Sequence, residues 1–123
     1  MIDAATLPPP PDWTHRYADG NNNTYYIAAT TLVYSPISAL QSSSGYYSGG
    51  QPATLALTSV QYQAILLLFE QAKTAVAAHQ DQRTKFTSVL HFRALHQTIL
   101  LAHQTDTNQN LQKYLNSFVT KQG

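Results

Sequence analysis

Residues 41–52, QSSSGYYSGGQP, combine the side chains and the backbone freedom that a ligand-binding loop needs. Glycine tolerates positive φ, so successive backbone N–H groups can converge there on an anion. Serine hydroxyls add hydrogen bonds to such an anion, and adjacent tyrosines can stack on a ring or a base. We expect this loop to contact a phosphorylated or nucleotide-like ligand. The predicted contacts are Ser42, Ser43, Ser44, Gly45, Tyr46, Tyr47, Ser48, Gly49 and Gly50.

The same loop has a simpler interpretation, a polar connection whose glycines form turns and whose tyrosines pack on a sheet. Its spacing is not that of the phosphate-binding motif G-x-x-x-x-G-K-[ST], and no lysine lies nearby. It does not match the dinucleotide fingerprint either. The pattern therefore leaves both interpretations open.

Three of the seven basic residues, Arg83, Lys85 and Arg93, are candidates to complete an anion pocket. A guanidinium binds phosphate through a two-pronged fork of N–H groups. His96 lies on the same polar arc of a predicted helix as Arg93 and joins this predicted ligand-binding set. Ordinary surface charge is the alternative, because the sequence cannot show that these residues converge with the loop.

Neither a metal site nor a catalytic pair stands out. The five histidines have no i, i+4 spacing, and the chain has no cysteine, so we expect no metal ligand set and no cofactor. No two carboxylates have a spacing typical of a general acid and base, and no G-x-S-x-G elbow is present. We therefore expect no enzyme activity, with a small hydrolase using His96 or His103 as an alternative.

The low charge content is the unusual feature of the composition. Only 11% of residues are charged, against about 25% in an average globular protein, and the net charge is +1. A basic field for duplex nucleic acid is absent, and a weakly charged surface does little to prevent self-association. No apolar run is long enough to cross a bilayer, and the N-terminus lacks the basic and apolar regions of a signal peptide. We expect a soluble, cytoplasmic protein without membrane contact.

The order of predicted elements favours an α+β fold, an N-terminal antiparallel meander of three to four strands followed by two to three helices packed on it. Residues 13–34 read as a β-hairpin around the turn DGNNN, with residues 24–34 as one return strand. Alternation places Trp13, His15 and Tyr17 on one face. Residues 53–57 are the third strand. A short fourth strand fits residues 37–40 or 46–47.

Three helices follow in the prediction. The first covers residues 58–79 and opens with a capping box, Thr58 to Gln61. The second covers residues 88–104, although residues 85–92 have a strand-like alternative. The last begins at residues 105–107. The predicted core stripe of the first helix is Tyr62, Ile65, Leu66, Phe69, Ala72 and Val76, and that of the last is Leu111, Tyr114, Leu115 and Phe118.

The first predicted helix is apolar nearly all round, which is typical of a helix covered on both sides. We therefore expect a homo-oligomer, a dimer or a multiple of it, through residues 58–79. Residues 1–12 form a proline-rich arm, and residues 13–123 form one domain. The leading hypothesis is a non-catalytic binder that sequesters a small anionic, nucleotide-like signal. A purely structural or protein-interaction subunit and the hydrolase are the alternatives.

Overall fold

The computed structural model describes residues 9–20, 23–36, 52–82, 87–102 and 105–120. Within these ranges the chain forms one antiparallel sheet and two α-helices, so the predicted α+β class is confirmed. The strands are β1 (His15–Ala18), β2 (Thr24–Ile27), β3 (Thr31–Ser35), β4 (Ala53–Ala56), β5 (Ser88–Phe92) and β6 (Gln97–Leu101). The helices are α1 (Ser59–Thr74) and α2 (Asp106–Thr120), and a 3-10 turn covers Val76–Ala78.

The sheet has the order β4-β3-β2-β1-β5-β6. The first four strands form the predicted N-terminal meander, and α1 then carries the chain across the sheet so that β5 pairs with the free edge of β1. α2 follows the last strand. In the part of the chain that the structure describes, neither helix is long and apolar enough to cross a membrane.

The single return strand predicted over residues 24–34 is wrong. It is divided into β2 and β3 by a tight turn, in which Ala28 and Thr31 exchange backbone hydrogen bonds of 2.8 and 3.4 Å. The two strands pair with each other, so that one β-prone run supplies two neighbouring strands of the meander. This turn contains no Gly, Pro, Asn or Asp, the residue types that normally announce a turn. The suggested fourth strand at residues 37–40 or 46–47 lies outside the described residues.

The predicted helix over residues 88–104 is also wrong, and the strand-like alternative holds for Ser88–Phe92. This segment is a hairpin of β5 and β6 joined by the turn at residues 93–96. Its alternate residues Leu90 and Phe92 face the core, and so do Ile99 and Leu101. The edge of β1 decides this conformation, because pairing with β5 satisfies backbone groups that a helix would have left unpaired on β1.

The two helices cover the inner face of the sheet. His15, Tyr17 and the residues opposite them in the cross-strand rows point to this face, and Phe69 of α1 packs edge-on to His15 at 4.9 Å. The predicted core stripes agree in part. Ile65, Phe69, Ala72, Leu111 and Leu115 are buried, whereas Tyr62, Leu66, Tyr114 and Phe118 are partly buried.

α1 begins where the sequence predicts and ends earlier. Thr58 accepts the backbone N–H of Gln61 at 3.1 Å and its own N–H donates to the Gln61 side chain at 2.8 Å, which confirms the capping box. The helix stops at Thr74 instead of residue 79. The change to a 3-10 turn rotates the following residues off the helical stripe, so that Val76 is 72% exposed and not in the core.

Candidate functional site

The candidate site lies on the outer face of the sheet, opposite the described helices. Because His15 and Tyr17 face the helices, the residue between them, Arg16, faces the other side. The strand register places Arg16 opposite Tyr26 of β2 and opposite His91 of β5. Two aromatic residues therefore flank one arginine in a single cross-strand row, which we call the Tyr26–Arg16–His91 row.

Trp13 lies across this row. Its ring centroid is 5.9 Å from that of Tyr26 and 5.5 Å from that of His91, the two residues that flank Arg16. The prediction that Trp13 shares a face with His15 and Tyr17 is therefore wrong. β1 begins only at His15, so the alternation of the strand does not extend back to Trp13.

Arg93, a predicted site residue, forms hydrogen bonds with the end of the N-terminal arm, next to Trp13. Its Nη1 donates to the carbonyl oxygens of Pro11 at 3.0 Å and of Trp13 at 3.1 Å. Its guanidinium also lies 4.9 Å from the centre of the Trp13 ring, a cation–π contact. Beside it is an open cavity of about 240 Å³ lined by Asp12, Trp13, Thr14, Arg93 and Ala94.

Arg16 gives this face a positive charge, and His91 lies beside it. The Nε of Arg16 is buried and has no hydrogen-bond partner among the residues that the structure describes. The Nδ1 of His91 is 3.0 Å from the hydroxyl of Thr98 on β6. Burial lowers the pKa of His91, and the nearby charges of Arg16 and His96 lower that pKa further. Protonation of His91 beside Arg16 is therefore unfavourable in the protein without ligand.

Only part of the predicted ligand set falls within the described residues. The loop contacts Ser42 to Gly50 lie outside them, as do Arg83 and Lys85. Arg93 and His96 lie together in the β5–β6 turn, where the backbone N–H of His96 donates to the carbonyl of Arg93 at 3.2 Å. His96 is exposed and has a φ of 49°. Convergence of the loop with the basic residues stays a prediction.

The sequence prediction missed Trp13, Arg16, Tyr26 and His91 as site residues. Strict alternation in β1 was the signal that could have found Arg16, since it separates Arg16 from His15 and Tyr17. His91 cannot be found in the same way, because the sequence pattern predicts a helix over residues 88–104. Its place beside Arg16 depends on the pairing of β1 with β5, which joins residues far apart in the chain.

A second polar group lies on the inner face, at the start of β1. The hydroxyl of Thr14 is 2.8 Å from Nδ1 of His15 and 3.0 Å from the hydroxyl of Tyr62, and it donates to the carbonyl of Ile27 at 3.2 Å. Burial lowers the pKa of His15, with a smaller opposing effect of the Glu70 charge. This arrangement orders the start of the strand.

The described residues contain no group of three or more His, Cys, Asp or Glu side chains placed to hold a metal ion. Comparisons with protein-family models, curated proteins and solved structures found no match for this chain.

Proposed function

We propose that this protein is a non-catalytic binding protein for a small anionic molecule that carries a flat ring, nucleotide-like in its chemistry. The observation that carries the proposal is Trp13 lying across the Tyr26–Arg16–His91 row. Aromatic side chains stack on flat rings, and a guanidinium recognises phosphate oxygens. A half-buried tryptophan, a tyrosine and an arginine on one sheet face therefore suit a ligand with both parts.

The size of the row favours a small ligand. Tyr26 and His91 lie on strands two apart, so the row spans roughly 10 Å, the distance covered by about two strand spacings. That length accommodates one ring and one charged group. A net charge of +1 provides little long-range attraction for a long polyanion. We propose that the serine-, glycine- and tyrosine-rich loop at residues 42–50 completes the contacts, and that the protein sequesters its ligand.

The test is a fluorescence titration with nucleoside monophosphates and cyclic nucleotides. The chain has one tryptophan, so selective excitation of the indole reports on Trp13 alone. We expect a saturable change with a phosphorylated nucleoside and a weaker response to the uncharged nucleoside. Replacing Arg93 with Ala removes the hydrogen bond to the Trp13 carbonyl and the cation–π contact with the Trp13 ring. We expect this change to weaken ligand binding about tenfold, which corresponds to roughly 1.4 kcal/mol.

The matched control is Lys113→Ala, which removes one positive charge from an exposed site on α2. It should leave the affinity unchanged, because α2 packs on the opposite face of the sheet. If Arg93→Ala and Lys113→Ala weaken ligand binding equally, the loss of affinity is caused by the change in net charge. That result would contradict a binding site at Trp13. A panel of phosphorylated nucleosides that leaves the indole signal unchanged would refute the proposal itself.

A second candidate function, a subunit of a homo-oligomer, rests on a different observation. Val60 is 77% exposed and Leu67 is 59% exposed, and both lie on one side of α1, two turns apart. Ala64 lies between them. Large apolar side chains at this spacing form the seam along which two helices pack. The two functions are compatible, since this side of α1 is remote from the outer face of the sheet.

A further inference from the structure

We infer that Arg16 and His91 form an oxyanion subsite on the outer face of the sheet, in which guanidinium and imidazole together hold a phosphate or carboxylate group and bind it more tightly when His91 is protonated. This inference rests on the proposed function and identifies the part of the site that recognises the charge. Neither residue belongs to the set predicted from the sequence.

The first support is the unsatisfied N–H of Arg16. A buried donor without a partner costs roughly 1–3 kcal/mol, and more when the group is charged. Arg16 as a whole is half-buried, so its side chain also reaches the surface of the face that Trp13 crosses. An oxyanion is the partner that a guanidinium accepts best, because two parallel N–H groups match two oxygens.

The second support is that, within the described ranges, no carboxylate forms an ion pair with Arg16. Among the described residues, the ion pair that forms joins Lys73 to Glu70 on α1, at 3.1 Å, and does not involve Arg16. In the part of the chain that the structure describes, the charges of Arg16 from β1 and His96 from the β5–β6 turn act on His91, and both disfavour its protonation. The positive charge of this face is therefore available to an anion.

The third support is the orientation of the His91 ring. Thr98 of β6 holds Nδ1, and Trp13 lies against the ring. Nε2 is then the nitrogen that can meet a ligand. An anion between Arg16 and Nε2 would receive one hydrogen bond from each neighbouring strand, and its negative charge would offset the repulsion that lowers the pKa of His91.

The anion affinity should depend on pH, because the bound anion and the neighbouring positive charges have opposite effects on the pKa of His91. Without ligand, the pKa of His91 lies below 6.5 because of burial and the two neighbouring charges. A bound anion favours the imidazolium and raises this pKa, so binding takes up a proton. The affinity should therefore rise as the pH falls from neutral through the lowered pKa of the free protein.

The experiment is a titration with sulfate, which stays dianionic across this pH range, against chloride at matched ionic strength. The readouts are the His91 ring resonances and the Trp13 indole signal of the full chain. We expect saturable binding, a higher pKa of His91 in sulfate, and an affinity about tenfold lower in Arg16→Gln. His91→Gln should remove the pH dependence. Lys113→Gln, on α2, is the charge-matched control.

The outcomes separate this inference from the proposed function. Sulfate binding that requires Arg16, without any response to nucleotides, would support the subsite and refute the nucleotide-like ligand. Nucleotide binding that is unchanged in Arg16→Gln would refute the subsite alone. Unsaturable effects of both sulfate and acetate, or equal effects in Lys113→Gln, would overturn the inference. A parallel titration with acetate decides between phosphate-like and carboxylate ligands, because the subsite predicts saturation with at least one of the two oxyanions.

Discussion

At the scale of single residues, Tyr17 connects the sheet to α2. Its ring belongs to the inner-face core, and its hydroxyl donates to the Asn108 side chain at 2.8 Å. The same hydroxyl lies 3.0 Å from that of Ser88 on β5. Burial raises the pKa of Tyr17 far above its ordinary value, so this group stays neutral in the folded protein. One buried hydroxyl thus fixes the positions of two strands and a helix.

Replacing Tyr17 with Phe should lower the free energy of unfolding by about 1–3 kcal/mol, because Asn108 and Ser88 lose a buried partner while the ring is retained. Chemical denaturation measures this change. The control is Tyr114→Phe in α2, which removes a hydroxyl from a half-buried ring and should cost no more than about 0.5 kcal/mol. Similar losses in the two variants would contradict a special role for the Tyr17 hydroxyl.

At the scale of elements, local sequence signals predict the start of α1 correctly. For the β5–β6 hairpin they predict a helix, which is wrong. The capping box at Thr58 is a short-range device whose two hydrogen bonds need only residues 58–61. The hairpin has no comparable local signal. Phe92, Leu95 and Ile99 fit one side of a helix, whereas Leu90, Phe92 and Ile99 also fit alternating positions of two strands. Pairing with β1 resolves this ambiguity.

Replacing Thr58 with Ala should lower the free energy of unfolding by about 1 kcal/mol, because the backbone N–H of Gln61 loses its acceptor. Thermal or chemical unfolding measures the loss. Ser59→Ala changes the next hydroxyl, which is exposed in the first turn of α1, and should have a much smaller effect. If Ser59→Ala is equally costly, the capping box is not the cause.

At the scale of the whole molecule, the two sides of the sheet differ in their construction. Both described helices pack on the inner face, whereas the outer face presents the Tyr26–Arg16–His91 row and Trp13. The helix layer in turn leaves Val60 and Leu67 exposed on its own outer side. The proposed ligand site and the proposed oligomer interface therefore lie on two separate surfaces, the first on the sheet and the second on α1.

Leu67→Lys should dissociate the proposed homo-oligomer, because it places a charge in the middle of the apolar side of α1. Light scattering or native mass spectrometry should then give the mass of one chain, against a multiple of it for the unaltered protein. Asn116→Lys adds the same charge at an exposed polar position of α2, away from this side of α1, and should preserve the assembly. A single-chain mass for the unaltered protein would refute this interface.

The fold class, the first three strand regions, the start of α1 and the core stripe of α2 followed from the sequence alone, because capping, alternation and helical spacing act over a few residues. The division between β2 and β3 and the strand state of residues 88–101 did not, because distant strands compete for the same backbone groups. The candidate site also depends on the pairing of strands that are distant in the sequence. Arg93 was visible as a cation, but only the alignment of β2, β1 and β5 places Arg16 between Tyr26 and His91, under a tryptophan that the strand period had assigned to the opposite face.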